Sequence, residues 1–200
     1  MSNKYKTIII LDWDDTLFPT SWLLQNNINM NDEEVRKKHF KNFAKLDSIV
    51  SKLLLKCLQS GTVIIVTNAL PIWIKVSSSV LPETVKLFKN IKIISARHQY
   101  QEHSNNMMDW KAMAFKDELA QIITAKKVHN IISIGDAEYE YKALIDLYNW
   151  NKKNKKILKS IKLMRHPSIE QIYDELSVLD GTMNYITTHE GHLDLNFQNH

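Results

Sequence analysis

Four short runs rich in β-branched residues, at positions 7–11, 62–66, 91–94 and 131–134, each give way to polar or small residues, and segments with helical spacing of apolar positions separate them. A run that is apolar at nearly every position is a strand buried on both faces, the condition of a parallel sheet covered by helices. Alternating strand and helix with right-handed crossovers gives a doubly wound, three-layer α/β/α fold around a central parallel sheet of about five strands. The fifth strand, 161–164, is expected at the sheet edge. Helices are expected at 32–59, 71–80, 83–88, 109–124, 138–150 and 168–179. In the longest, Phe43, Leu46, Val50, Leu53 and Leu54 share one face behind an Asn31 or Asp32 cap, so that face is core, with a restart expected at Asp47 and Ser48.

A chain of 200 residues builds one core of this kind, so a single domain over 1–200 is expected. The polar tail, 187–200, reads as an added edge strand or a frayed end. The net charge of +4 suits an anionic partner. No compact basic motif accompanies it, so nucleic-acid binding is possible but not favoured. The lysine-rich stretch 152–162 reads as a solvated connection, and His189-Glu190-Gly191-His192 lacks the spacing of a zinc-protease helix and reads as tail. The single cysteine, Cys57, lies in an apolar helical pattern, which excludes an internal disulfide and fits a reducing compartment. Residues 1–6 are polar and lack the features of a secretory signal, and no stretch approaches the roughly 20 apolar residues of a membrane helix. The expectation is a soluble, intracellular protein of the cytoplasm.

Ligands of an open parallel sheet bind outside the carboxyl ends of the strands, so the strand exits are the residues to read. The first strand exits into Asp12-Trp13-Asp14-Asp15-Thr16, and the spacing of Asp12 and Asp14 directs both carboxylates to one face of an extended chain. Acidic groups this close repel one another unless a cation sits among them, and an oxygen-rich site favours magnesium. The second strand exits into Thr67-Asn68, short side chains suited to phosphate oxygens. The fourth exits into Gly135-Asp136, with Glu140 one turn further on as a second acidic arm. Lys111 begins the helix before that strand, within reach of a carboxylate and a phosphoryl group.

Together these residues resemble the four motifs of the haloacid dehalogenase superfamily: Asp12-x-Asp14-x-Thr16, Thr67, Lys111, and Gly135-Asp136 with Glu140. The resemblance runs from about Ile8 to beyond Ile134, in the family's order and on the family's elements. It implies a magnesium-dependent phosphoryl-transfer enzyme, with Asp12 as nucleophile forming an aspartyl-phosphate and Asp14 as general acid and base. It further implies magnesium held by Asp12, the main-chain carbonyl of Asp14 and Asp136, with Glu140 acting through water, and Thr67 and Lys111 steadying the phosphoryl oxygens. A carboxylate at Asp14 favours hydrolysis of a phosphorylated substrate over carbon–halogen cleavage.

Only residues 17–31 remain to cover the site, and 95–108 reads as a loop, so at most a minimal cap is expected. Arg97 and Asn68 are expected substrate contacts, though a solvated loop explains Arg97 and His98 as well. Trp13, Phe18, Trp22 and Trp73 either stack on a substrate ring or pack the flap. Transfer to an alcohol acceptor by the same site stays open, as does a non-catalytic binding protein. A phospho-accepting receiver domain is disfavoured, because its acceptor carboxylate follows the third strand, where this chain has Ser95-Ala96-Arg97.

Overall fold

The computed structural model describes residues 7–125, 128–150 and 156–197. Its centre is β1 (Thr7–Leu11), buried at every position. β1 pairs in parallel with β2 (Thr62–Thr67) on one side and β4 (Asn130–Gly135) on the other. β3 (Lys92–Ser95) lies outside β2, while β5 (Ile157–Lys162) and then β6 (Leu193–Asn196) lie outside β4. The result is a six-stranded, all-parallel sheet in the order β3-β2-β1-β4-β5-β6. The chain builds from β1 toward one edge, then returns to β1's other side, so the direction of winding reverses between β1 and β4. A crevice opens above the carboxyl ends of strands at such a reversal.

In chain order the helices are α1 (Thr20–Gln25), α2 (Glu33–Lys38), α3 (Phe40–Ser60), α4 (Pro71–Ser78), α5 (Pro82–Leu87), α6 (Ala96–Tyr100), α7 (Met107–Ala114), α8 (Ala120–Ala125), α9 (Glu138–Trp150) and α10 (Ile169–Thr188). A π-helical stretch, Phe115–Leu119, joins α7 to α8. Alternation along β1 divides its side chains between two cores. Ile9 and Leu11 pack with Leu46 and Val50 of α3 and Leu176 and Leu179 of α10, whereas Ile8 and Ile10 pack with Ala114 of α7 and Leu144 of α9. Each such aliphatic side chain contributes about 1.5–3 kcal/mol on leaving water. Three layers follow. Among the described residues, no helix is long and apolar enough to cross a membrane.

Several expectations need correction. The fifth strand begins at Ile157, not 161, and is interior rather than edge, because β6 pairs along its outer side. Lys159 concealed it by interrupting the apolar run. The lysine is nevertheless fully buried, and its ammonium donates to the carbonyls of Ile186 and, at 2.7 Å, His189, so it satisfies the open end of α10. Residues 152–155 of the lysine-rich stretch lie outside the described residues, as do 1–6 and 198–200. Of the remaining lysines there, Lys156 donates to the Val128 carbonyl and Lys162 pairs with Glu138, so these serve the fold rather than a solvated connection. Of the two readings of the tail, the added edge strand holds. The tail carries β6, and His192 Nδ1 accepts from the Leu158 amide at 3.1 Å.

The long helical segment breaks at His39, not at Asp47. Asp32 caps α2 by accepting from the amides of Glu34 and Val35. Asp47 reaches instead to α5, where its carboxylate accepts from the Glu83 amide at 2.9 Å and the Thr84 amide at 2.8 Å. Part of 95–108 is helical, since Ser95 Oγ accepts from the His98 amide at 3.2 Å and starts α6. α10 runs past 179 to Thr188 because Met183 and Ile186 continue its buried face.

Candidate active site

The exits of β1 and β4 stand side by side, held together by the Asp12 amide donating to the Ile134 carbonyl at 3.0 Å. Asp12 is buried. Its Oδ1 accepts from the Trp13 amide at 2.7 Å, and its Oδ2 lies 2.8 Å from Lys111 Nζ. Beyond Asp14 the chain makes a tight turn. The Trp13 carbonyl accepts from the amides of Leu17 and Phe18 at 2.9 Å each, the Asp15 amide donates to the Phe18 carbonyl at 2.7 Å, and Asp15 takes a φ of 52°. That left-handed conformation is tolerated by aspartate better than by most residues. Asp15 itself is held by flap residue Ser21, whose amide donates to its Oδ1 at 2.8 Å. The Ser21 hydroxyl reaches both Asp15 and, at 2.8 Å, His166 Nδ1.

Trp13, between the two carboxylates, points into the core. It is fully buried, stacks on Phe18 at 5.9 Å between ring centroids, meets Phe88 edge-on, and donates its indole N–H to Ser77 Oγ at 2.9 Å. Phe18 is also fully buried and Trp22 nearly so, so these three aromatics pack the flap and core rather than offering a ring to substrate. Trp73 differs. It lines an open cleft and donates its indole N–H to Asp14 Oδ1 at 2.8 Å, while Thr20 Oγ1 donates to the same oxygen at 2.5 Å. Burial, with the Asp12 charge second, pushes Asp14 up to about 6, and the Thr20 and Trp73 hydrogen bonds oppose that rise. Neither partner of Asp14 is signalled locally in the sequence; Trp73 stands 59 residues away.

Lys111 is fully buried between carboxylates, its ammonium paired with Asp12 Oδ2 and with Glu140 Oε1. Burial alone would depress the ammonium, but Asp12 and Glu140 outweigh it and hold it above its ordinary value. The other oxygen of Glu140 accepts from the Ala137 amide at 3.0 Å. Glu140 is thus committed to the lysine and to the start of α9. In this structure Glu140 orients Lys111. Gly135 permits this approach, since a Cβ there would lie 2.5 Å from Glu140 Cγ.

Asp136 follows Gly135 and is buried, and its carboxyl is pushed up to about 8, first by burial and then by the charges of Asp12 and Glu140. Two buried carboxylates at adjacent strand ends, one driven toward its neutral form by the other, make a donor set short of a cation. Their all-oxygen chemistry fits magnesium, with Asp12 and Asp136 as the side chains that would hold it. Among the described residues, no group of three or more histidine, cysteine, aspartate or glutamate side chains is arranged around a common metal position, in keeping with Glu140 being turned onto Lys111.

Thr67 is fully buried at the β2 exit, where its Oγ1 accepts from the Ala69 amide at 3.0 Å. Asn68 donates to the Met107 carbonyl at 3.4 Å, and its buried Oδ1 has no partner among the described residues. Arg97 starts α6, lies with Trp110 at 5.9 Å and lines the same cleft as Asp14, Asn68 and Trp73. Asp12, Lys111 and Glu140 therefore form one contact network, whose charge Asp136 and Asp14 also feel, while Asn68 and Arg97 join Asp14 at the cleft. The cleft encloses about 460 Å³, and residues 17–31 supply one wall of it, with α1 as the only helix of that segment.

The class of molecule that fold and site define is a three-layer α/β domain with a carboxylate-rich crevice at its winding reversal. No protein-family model, no curated protein and no solved structure matches the chain.

Proposed function

We propose that the protein is a magnesium-dependent phosphomonoester hydrolase of the haloacid dehalogenase type. The observation that carries this reading is the buried Lys111 ammonium 2.8 Å from Asp12 Oδ2, with Asp136 at the neighbouring strand exit and Asp14, its carboxyl pushed up to about 6, two residues beyond Asp12. A structural ion pair needs only one carboxylate. This crevice gathers an oriented nucleophile, a fixed cation and a protonatable acid within one reach of chain, the parts that displacement at phosphorus requires.

Asp12 attacks phosphorus through a carboxylate oxygen as the bond to the leaving oxygen breaks, giving an aspartyl-phosphate. Asp14 gives its proton to the departing oxygen, so an alcohol leaves rather than an alkoxide. Asp14, now ionised, takes a proton from water, whose oxygen attacks phosphorus, and the bond to Asp12 breaks to release phosphate. Lys111 offsets the charge that develops on the phosphoryl oxygens, with the Thr67 and Asn68 exit supplying short polar groups. Magnesium held by Asp12 and Asp136, when bound, supplies the positive charge that lets an anionic nucleophile meet a dianionic substrate. Trp73 and Thr20 keep the Asp14 carboxyl aimed by bonding a single oxygen, Oδ1.

The test is release of phosphate from p-nitrophenyl phosphate by the purified full chain, with magnesium, with chelator, and with Asp12→Asn. Turnover that requires magnesium and disappears in Asp12→Asn supports the reading. A folded protein inactive on this and other phosphomonoesters would overturn it.

A further inference from the structure

The cleft beside Asp14 has a composition that the phosphoryl chemistry does not require. Its walls carry Leu23, Ile28 and Met30 from the flap and Leu70, Ile72 and Trp73 from the start of α4. Asn29, Asn31, Asn68 and Arg97 line its other side, while Thr20 and the indole N–H of Trp73, on the apolar wall, are already engaged, since both donate to Asp14. With its N–H spent there, Trp73 presents hydrocarbon to the cleft. Phe18 supports it from behind with an edge-on contact at 6.0 Å. At the rim, Leu24 is 73% exposed and Ile72 64% exposed, large apolar side chains that nothing in the fold requires at the surface.

We infer that this cleft is the leaving-group subsite, that it takes an apolar, ring-bearing alcohol rather than a polyol, and that Trp73 is a positioning residue that both walls the subsite and aims Asp14. The inference rests on the phosphohydrolase reading for its chemistry, and on the cleft alone for its selectivity. Asp14 lines the cleft, so an oxygen that receives its proton departs on that side. A polyol leaving against the wall of Leu23, Ile28, Leu70 and Trp73 would surrender part of its hydration to hydrocarbon, at a cost a ring does not meet. A ring gains burial against Trp73, Leu23 and Ile28, in the offset or edge-on arrangements that aromatic faces favour.

The first arm of the test measures binding alone, on the full chain with magnesium. Titration calorimetry compares benzylphosphonate with methylphosphonate, which share the anionic head and differ in the ring. Benzylphosphonate is expected to bind at least tenfold more tightly, and Ile72→Asp is expected to bring that ratio close to one. Equal affinity in the unaltered protein overturns the subsite. The second arm measures turnover of benzyl phosphate against glycerol 3-phosphate, both alkyl esters, and kcat/KM is expected to be at least tenfold higher for the benzyl ester. A preference for glycerol 3-phosphate overturns the selectivity. Trp73→Phe, which keeps a ring but removes the N–H, is expected to lower kcat about tenfold on benzyl phosphate and much less on p-nitrophenyl phosphate, whose leaving group needs no proton. Equal losses on the two esters overturn the positioning role. A ring preference in binding without turnover of any ester keeps the subsite and overturns the hydrolase reading, so the two failures are distinct.

Discussion

Lys111 Nζ sits 2.8 Å from Asp12 Oδ2, with the lysine wholly removed from solvent. The pair joins α7 to the exit of β1, and Glu140 closes it from the other side. Removing the ammonium leaves two carboxylates buried without their counter-charge. Lys111→Met, similar in volume, is therefore expected to cost about 3–5 kcal/mol. Urea unfolding followed by circular dichroism in chelator measures this, and an unchanged midpoint would show that the pair contributes nothing to stability. Under the proposed chemistry, turnover falls with it.

Asp136 predicts how the metal-free protein responds to pH. Its ordinary value is 3.8, and in the fold it is pushed to about 8 by burial and by Asp12 and Glu140. The folded state thus holds this proton more tightly than the unfolded chain does. The associated stability is full below about pH 4 and is lost as pH rises through 8. Asp14, raised to about 6, acts with the same sign over a narrower window. In chelator, the free energy of unfolding is expected to fall by on the order of 3 kcal/mol between pH 5 and pH 8. Asp136→Asn is expected to flatten that slope and to stabilise the metal-free protein at pH 8, while raising the magnesium concentration needed for turnover. A slope of opposite sign would mean that Asp136 is ionised in the fold.

Gly135→Ala tests the contact that commits Glu140 to Lys111. The new Cβ would sit 2.5 Å from Glu140 Cγ and 2.7 Å from Cδ, so the glutamate must move and release its hold on the lysine and on the Ala137 amide. Overpacking of this kind costs about 1–3 kcal/mol. Thermal unfolding with parallel phosphate-release rates is expected to show loss of both stability and activity; full turnover would show that Glu140 need not orient Lys111.

Asp47→Ala separates stability from chemistry. The carboxylate accepts from two amides at the start of α5, so its removal is expected to cost about 1–2 kcal/mol as a lost cap. Turnover per folded molecule should not change. A drop in kcat in the fully folded variant would contradict this assignment.

What the sequence made legible follows from which forces are local. β1, β2 and β4 are buried on both faces and nearly continuous in apolar residues, so their positions and the acidic residues just beyond them could be read directly. β5 was misplaced because Lys159, a charged residue, is buried by a partnership with the end of α10, and no local pattern announces a lysine that caps a helix 27 residues later. β6, Leu-Asp-Leu-Asn, is too short and too evenly alternating to distinguish from a polar tail. Asp47 read as a break within its own helix although its role lies at a helix 36 residues on, and the pairing of Glu140 with Lys111 was not read from the sequence. Lys159, Asp47 and Glu140 are each a side chain whose partner is distant in the chain.

Trp13 has a consequence for how this molecule can change. The residue between Asp12 and Asp14 is a spacer whose position is fixed by Phe18, Phe88 and Ser77, none of which bears a reacting atom. The separation of the two carboxylates is therefore held by the interior as well as by their own hydrogen bonds. Substitutions that alter the bulk of that aromatic cluster will change the distance between the Asp12 and Asp14 carboxylates, so mutational drift in the core is constrained here by geometry at the strand exit as well as by stability.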